Sequence, residues 1–116
     1  MAYDEDLASR IRELVGDQPR LSEQKMFGGL AFLIGGNMAV AASGQGGLLV
    51  RVAPAEGEKL VASGAAEPME MRGRAMTGWI RVSSDAVRTK RQLLRWVGLG
   101  TAYAASLPAK APKRRR

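Results

Sequence analysis

Apolar residues recur along this chain with two different spacings. From Asp4 to Val15, the residues Leu7, Ile11, Leu14 and Val15 fall at i, i+4, i+7 and i+8, one face of a helix. Asp4, Glu5 and Asp6 stand at its start, where carboxylates cap free N–H groups and favour the helix dipole. Gly16 suits its end, and Pro19 blocks continuation. Residues 21–52 change to short apolar runs broken by glycines, and these read as three strands. Gln24 to Phe27 enters a Gly28-Gly29 break, and Leu30 to Ile34 is continuously apolar. Gly35-Gly36-Asn37 signals a hairpin, since Gly and Asn accept positive φ. Met38 to Ser43 follows, then the turn Gly44 to Gly47, then Leu48 to Val52. Connections this short make neighbouring strands antiparallel. Phe27, Leu30, Phe32, Ile34, Met38 and Val40 are the expected core of this part.

Pro54 to Ser63 reads as a short helix, with proline in its first turn and Gly64 just past its end. Met69 to Arg72 alternates apolar and polar, as a half-buried strand does. Gly73 to Thr77 reads as a turn, and Gly78 to Val82 as the last strand. There Trp79 and Arg81 face one side, Ile80 and Val82 the other. A final helix runs from Asp85 or Thr89 to Leu107. Its apolar stripe of Leu93, Trp96, Val97, Gly100, Ala104 and Leu107 spans roughly 100° of arc. Arg88, Arg91 and Arg95 project from the opposite side. Gly100 costs about 1 kcal/mol against alanine in a helix, which predicts a close approach of helix to sheet there. Pro108 and Pro112 end the ordered part. The order α-β-β-β-α-β-β-α implies an α+β domain. It has a single antiparallel sheet of about five strands flanked by helices, over residues 1–108, with a basic tail at 109–116.

Composition narrows the chemistry. The chain of 116 residues has no cysteine and no histidine. Disulfides, thiolate metal sites, cysteine nucleophiles and the usual general base are therefore excluded. Neither a metal nor a cofactor is expected, and no catalytic constellation is visible. The net charge is +7, but Lys110, Lys113, Arg114, Arg115 and Arg116 supply five of those charges. Residues 1–109 carry 13 basic and 11 acidic groups. The basic excess thus belongs to the tail, which favours polyanions without sequence preference. No run reaches the roughly 18 apolar residues of a membrane span. The acidic start lacks the features of a signal peptide, so a cytoplasmic protein is expected.

Three clusters invite a functional reading. Gly44-Gln45-Gly46-Gly47 leads into a strand, whereas phosphate loops lead into a helix, so a hairpin turn is expected. Glu56, Glu58, Glu67 and Glu70 form no spaced motif and read as solvated surface. Lys25, Arg51, Arg72, Arg74 and Arg81 lie on or beside strands. Several of them could form one basic strip with Trp79, a face able to hold single-stranded nucleic acid. Gly28, Gly29, Gly73 and Gly78 read as structural, serving backbone geometry at bends. A sheet of this size also has two edges needing protection, and few charges fall within Leu30 to Val50. That predicts a homodimer.

Several segments together resemble the TfoX/Sxy N-terminal domain family of bacterial competence regulators. They are Lys25-Met26-Phe27-Gly28-Gly29, Arg51-Val52 with Pro54, Pro68-Met69, and Met71-Arg72-Gly73-Arg74. Met76, Gly78-Trp79-Ile80, Trp96-Val97, Tyr103-Ala104 and Ser106-Leu107-Pro108 continue the series, which covers about residues 3–108. The resemblance implies an α+β fold of the secretion-chaperone-like kind, for which dimers are also expected. It implies a non-catalytic adaptor role in transcriptional control of DNA uptake, through a protein partner such as a transcription regulator. Longer members carry a second, helical domain, where this sequence has its basic tail. Weak nonspecific nucleic-acid binding through that tail and the Arg/Lys strip is the alternative reading.

Overall fold

A computed structural model describes residues 4–26, 28–44, 46–71 and 74–108, with the side chains of 26, 70, 71 and 74–77 outside the described set. Helix α1 (Glu5–Val15) leads into strands β1 (Leu21–Met26), β2 (Gly29–Ile34), β3 (Asn37–Ala42) and β4 (Leu48–Arg51). Helix α2 (Pro54–Ala62), strands β5 (Glu67–Met71) and β6 (Arg74–Val82), a 3-10 turn (Ser84–Val87) and helix α3 (Lys90–Ser106) complete the fold. The strands form one antiparallel sheet in the order β1-β2-β3-β4-β6-β5.

The fold class is the expected one, with six strands where about five were expected. The additional strand is β1. Its Ser22, Glu23, Gln24 and Lys25 are all exposed, so it needs no apolar alternation to sit at an edge. β5 begins at Glu67 and takes in Pro68, which the other edge tolerates because proline lacks an N–H. β6 extends back to Arg74, through residues whose sequence reads as a turn. The final helix starts where the Thr89 alternative places it. Thr89 and Gln92 form a reciprocal capping box, each side chain accepting from the other's backbone N–H. Asp4 caps α1 as its carboxylate suggests, accepting from Asp6 and Leu7 N–H at 3.0 and 3.1 Å.

One sheet face carries Leu30, Phe32, Val40, Val50, Ile80 and Val82. Leu7, Ile11 and Val15 of α1, Leu60 of α2, and Leu93, Trp96 and Val97 of α3 join the same cluster. The other face holds Ala31, Leu33, Met38, Ala41, Leu49 and Met69, with Trp79 packed against them. Both β2 and β3 are buried along their whole lengths, which is why their sequences run apolar without alternation. Phe27, also expected in the core, lies outside the described residues.

A bulge in β3 joins sheet to helix. Phe32 pairs with Val40 and Leu33 with Met38, leaving Ala39 unpaired. A Cβ on Gly100 would lie 2.3 Å from the Ala39 carbonyl oxygen, so α3 crosses there on bare backbone. This is the close approach that the glycine in the apolar stripe predicts.

Candidate interaction surface

The β4–β6 ladder sets Arg51 directly opposite Trp79. Arg51 lies just past the last β3–β4 pair, Val40 with Val50. Its guanidinium carbon sits 5.1 Å from the Trp79 ring centre and 5.7 Å from that of Tyr103 on α3. The cation is thus held between two aromatic rings from different layers of the fold. Arg51, Trp79 and Tyr103 are all half-buried. The described residues offer Arg51 no hydrogen-bond acceptor and no carboxylate. Its side chain is therefore oriented while its planar donors stay open. That arrangement suits a bidentate carboxylate or another flat acceptor.

The structure does not bring the other expected cations to this place. Lys25 shares a row with Leu30, Ala42 and Leu48, whose side chains join the helix-side core. Trp79 packs on the opposite face. Three strand spacings and three residues separate Lys25 from Arg51, roughly 17 Å by strand spacing and rise. Arg81 lies on the strand of Trp79 but bends toward the β3–β4 turn. Its Nη1 donates to Ser43 Oγ at 3.2 Å and to the Gly46 carbonyl at 3.5 Å. The strip is therefore divided: Arg51 with Trp79, Arg81 on the turn, and Lys25 at the far edge. Arg74 is placed in β6 by its backbone alone. Arg72, Gly73, Lys110, Lys113, Arg114, Arg115 and Arg116 lie outside the described residues.

Tyr103 is the member of the cluster that motif reasoning missed. It was visible only as part of the family resemblance, because nothing local links a residue of the last helix to β4. Its position one residue before the buried Ala104 is the signal that would place it at the helix–sheet boundary.

The expected structural glycines divide by mechanism. Gly28 has φ +74° in the turn between β1 and β2, with open space where a Cβ would stand. Gly29 packs so tightly that a Cβ would meet the Ala42 carbonyl at 2.1 Å. Gly78 has φ +86°, and its carbonyl accepts from Val52 N–H at 2.8 Å. The Gly44–Gly47 segment closes a hairpin, with Ser43 N–H donating to the Gly47 carbonyl at 3.0 Å.

A groove of about 430 Å³ beside Arg81 is lined by Gly46, Gly47, Gly64, Glu67, Ser83 and Ser84, among others. Glu67 and Arg81 are register partners across its floor, yet they form no ion pair. At the other edge, Arg12 Nε and Nη2 donate to the two oxygens of Glu23 at 2.7 and 2.9 Å. Those hydrogen bonds hold the Glu23 carboxyl below its usual range; slight burial opposes them, and the Arg12 charge adds to them. Among the described residues no three Asp or Glu side chains converge as metal ligands would. No helix among them is long and apolar enough to cross a membrane.

The TfoX N-terminal domain matches residues 13–104 of the chain, from the last turn of α1 to Ala104 of α3. A search of curated proteins and a search of solved structures each return no match.

Proposed function

Because the chain belongs to the TfoX N-terminal domain family, a family of competence-regulator-like domains, we propose that it is a regulatory adaptor acting by protein–protein contact and without catalysis. The observation that supports this reading is the Arg51 guanidinium, held between Trp79 and Tyr103 with its donors open. Arg, Trp and Tyr dominate the residues that anchor protein interfaces. An arginine already fixed by ring packing loses little side-chain entropy when it binds. The partner presents a carboxylate to Arg51 and an apolar or aromatic surface to the rings. In the family reading that partner is a transcription regulator, and the place of action is the cytoplasm.

Nucleic-acid binding by the tail is the competing reading, and one pair of experiments separates the two. The chain serves as bait in a nuclease-treated extract. The expected result is a defined protein, retained equally by the full chain and by a chain ending at Pro108. Binding of duplex DNA is then titrated against salt for both chains. If nuclease treatment empties the bait and the shortened chain loses salt-sensitive DNA binding, the tail is the functional part and the adaptor reading falls.

A further inference from the structure

The two edges of the sheet are guarded differently. β5 contains Pro68, which cannot donate to an added strand. β1 is a six-residue strand whose Ser22 to Lys25 are all exposed. The direction of its free backbone groups follows from one hydrogen bond. Gly35 N–H donates to the Arg20 carbonyl at 3.1 Å, so that carbonyl points toward β2. The Leu21 N–H, in the same peptide plane, then points away. Alternation along an unbulged strand turns the N–H and C=O of Leu21, Glu23 and Lys25 outward, and those of Ser22 and Gln24 toward β2.

A second copy can add to this edge antiparallel only where outward groups meet outward groups. The remaining choice is decided by charge. A dyad at Glu23 sets that carboxylate opposite its own copy, and a dyad at Lys25 sets two ammonium groups opposite each other. A dyad at Gln24 sets Glu23 of each chain opposite Lys25 of the other, twice, on the same face. Directly opposed side chains of opposite charge stabilise a sheet, and like charges destabilise it. Glu23 is prepared for this role. Arg12 fixes its carboxylate with two hydrogen bonds, and a carboxylate has room for further donors. Lys25 forms no ion pair among the described residues.

We propose that β1 pairs antiparallel with β1 of a second copy of this chain about a dyad at Gln24, joining two six-stranded sheets into one. Each of the two Glu23–Lys25 positions exchanges two backbone hydrogen bonds across the seam. The interface is isologous, as a closed two-fold dimer requires. The seam is narrow, so association is strong only at micromolar concentration and above.

Light scattering at high micromolar concentration tests this on three full-length chains. The natural chain gives twice the 12.4 kDa chain mass. Lys25→Arg keeps the charge pairs and gives the same mass. Lys25→Glu sets like charges opposite each other twice and weakens dimerisation by roughly tenfold or more. The Lys25 side chain is exposed and forms no hydrogen bond or ion pair among the described residues, so this variant should melt like the natural chain. A natural chain that stays at 12.4 kDa overturns the proposal. So does a Lys25→Glu chain that associates as tightly as the natural one, since a dyad at Glu23 or a different surface gives that result.

Discussion

Two glycines on one helix make opposite statements. At Gly100 a Cβ would collide with the Ala39 carbonyl, whereas at Gly98 it would meet nothing within 4 Å. Gly98→Ala gains helix propensity with no steric cost and should stabilise the fold by about 1 kcal/mol. Gly100→Ala gains the same propensity but must push α3 off the β3 bulge, for a net loss of roughly 1–2 kcal/mol. Urea denaturation of both variants reads the difference, and equal shifts would show that the helix does not cross on bare backbone. The same reasoning separates Gly28 from Gly29. Gly28→Ala pays about 1 kcal/mol for its left-handed backbone, and Gly29→Ala pays more, because the clash is with backbone. The Gly100 contact was legible from sequence, since a glycine inside an apolar stripe has few other uses. The meeting of Arg51, Trp79 and Tyr103 was not. It depends on β4 pairing with β6 across an intervening helix and strand, and on α3 returning to the end of β4.

At the scale of elements, caps and turns were legible because their chemistry is local. Asp4, Thr89, the paired glycines at 35 and 36, and Pro54 each mark a boundary that the structure keeps. Thr89→Ala removes half of a capping box and should cost about 1 kcal/mol, measured by thermal or chemical unfolding. The two edge strands differ in how legible they were. β1 is polar on every exposed position and shows no alternation, whereas β5 was legible from Met69 onward by its alternation and only its start, through Pro68, was not. The Arg12–Glu23 pair ties β1 to α1, and its contribution depends on pH. The folded-state value of Glu23 is lowered, so the stabilisation is present above the ordinary glutamate value and is lost as pH falls through the folded one. Glu23→Gln should therefore be slightly less stable than the natural chain near neutrality, by less than about 1 kcal/mol for so exposed a pair. The two chains should converge in acid. A gap that persists or widens at low pH would mean that the pair acts through something other than charge.

For the whole molecule, charge and contact point to different ends of the chain. Residues 1–109 are nearly balanced, and the cations that the fold does place are dispersed over both faces and an edge. Affinity for duplex DNA should then reside chiefly in Lys110 to Arg116. If the tail touches about four phosphates, log K falls against log salt with a slope near −3.6, and a chain ending at Pro108 loses both affinity and slope. Retention of either would return the folded face to consideration as a polyanion site. The adaptor reading rests instead on one oriented arginine. A lysine there keeps the charge but loses the planar fork that a carboxylate grips with two bonds. Titration of the captured partner into the natural chain and into Arg51→Lys is the direct measurement. The expected result is a loss of affinity of about tenfold or more, equivalent to roughly 1.4 kcal/mol, with the variant still folded. Equal affinity of a folded Arg51→Lys chain for that partner would contradict it.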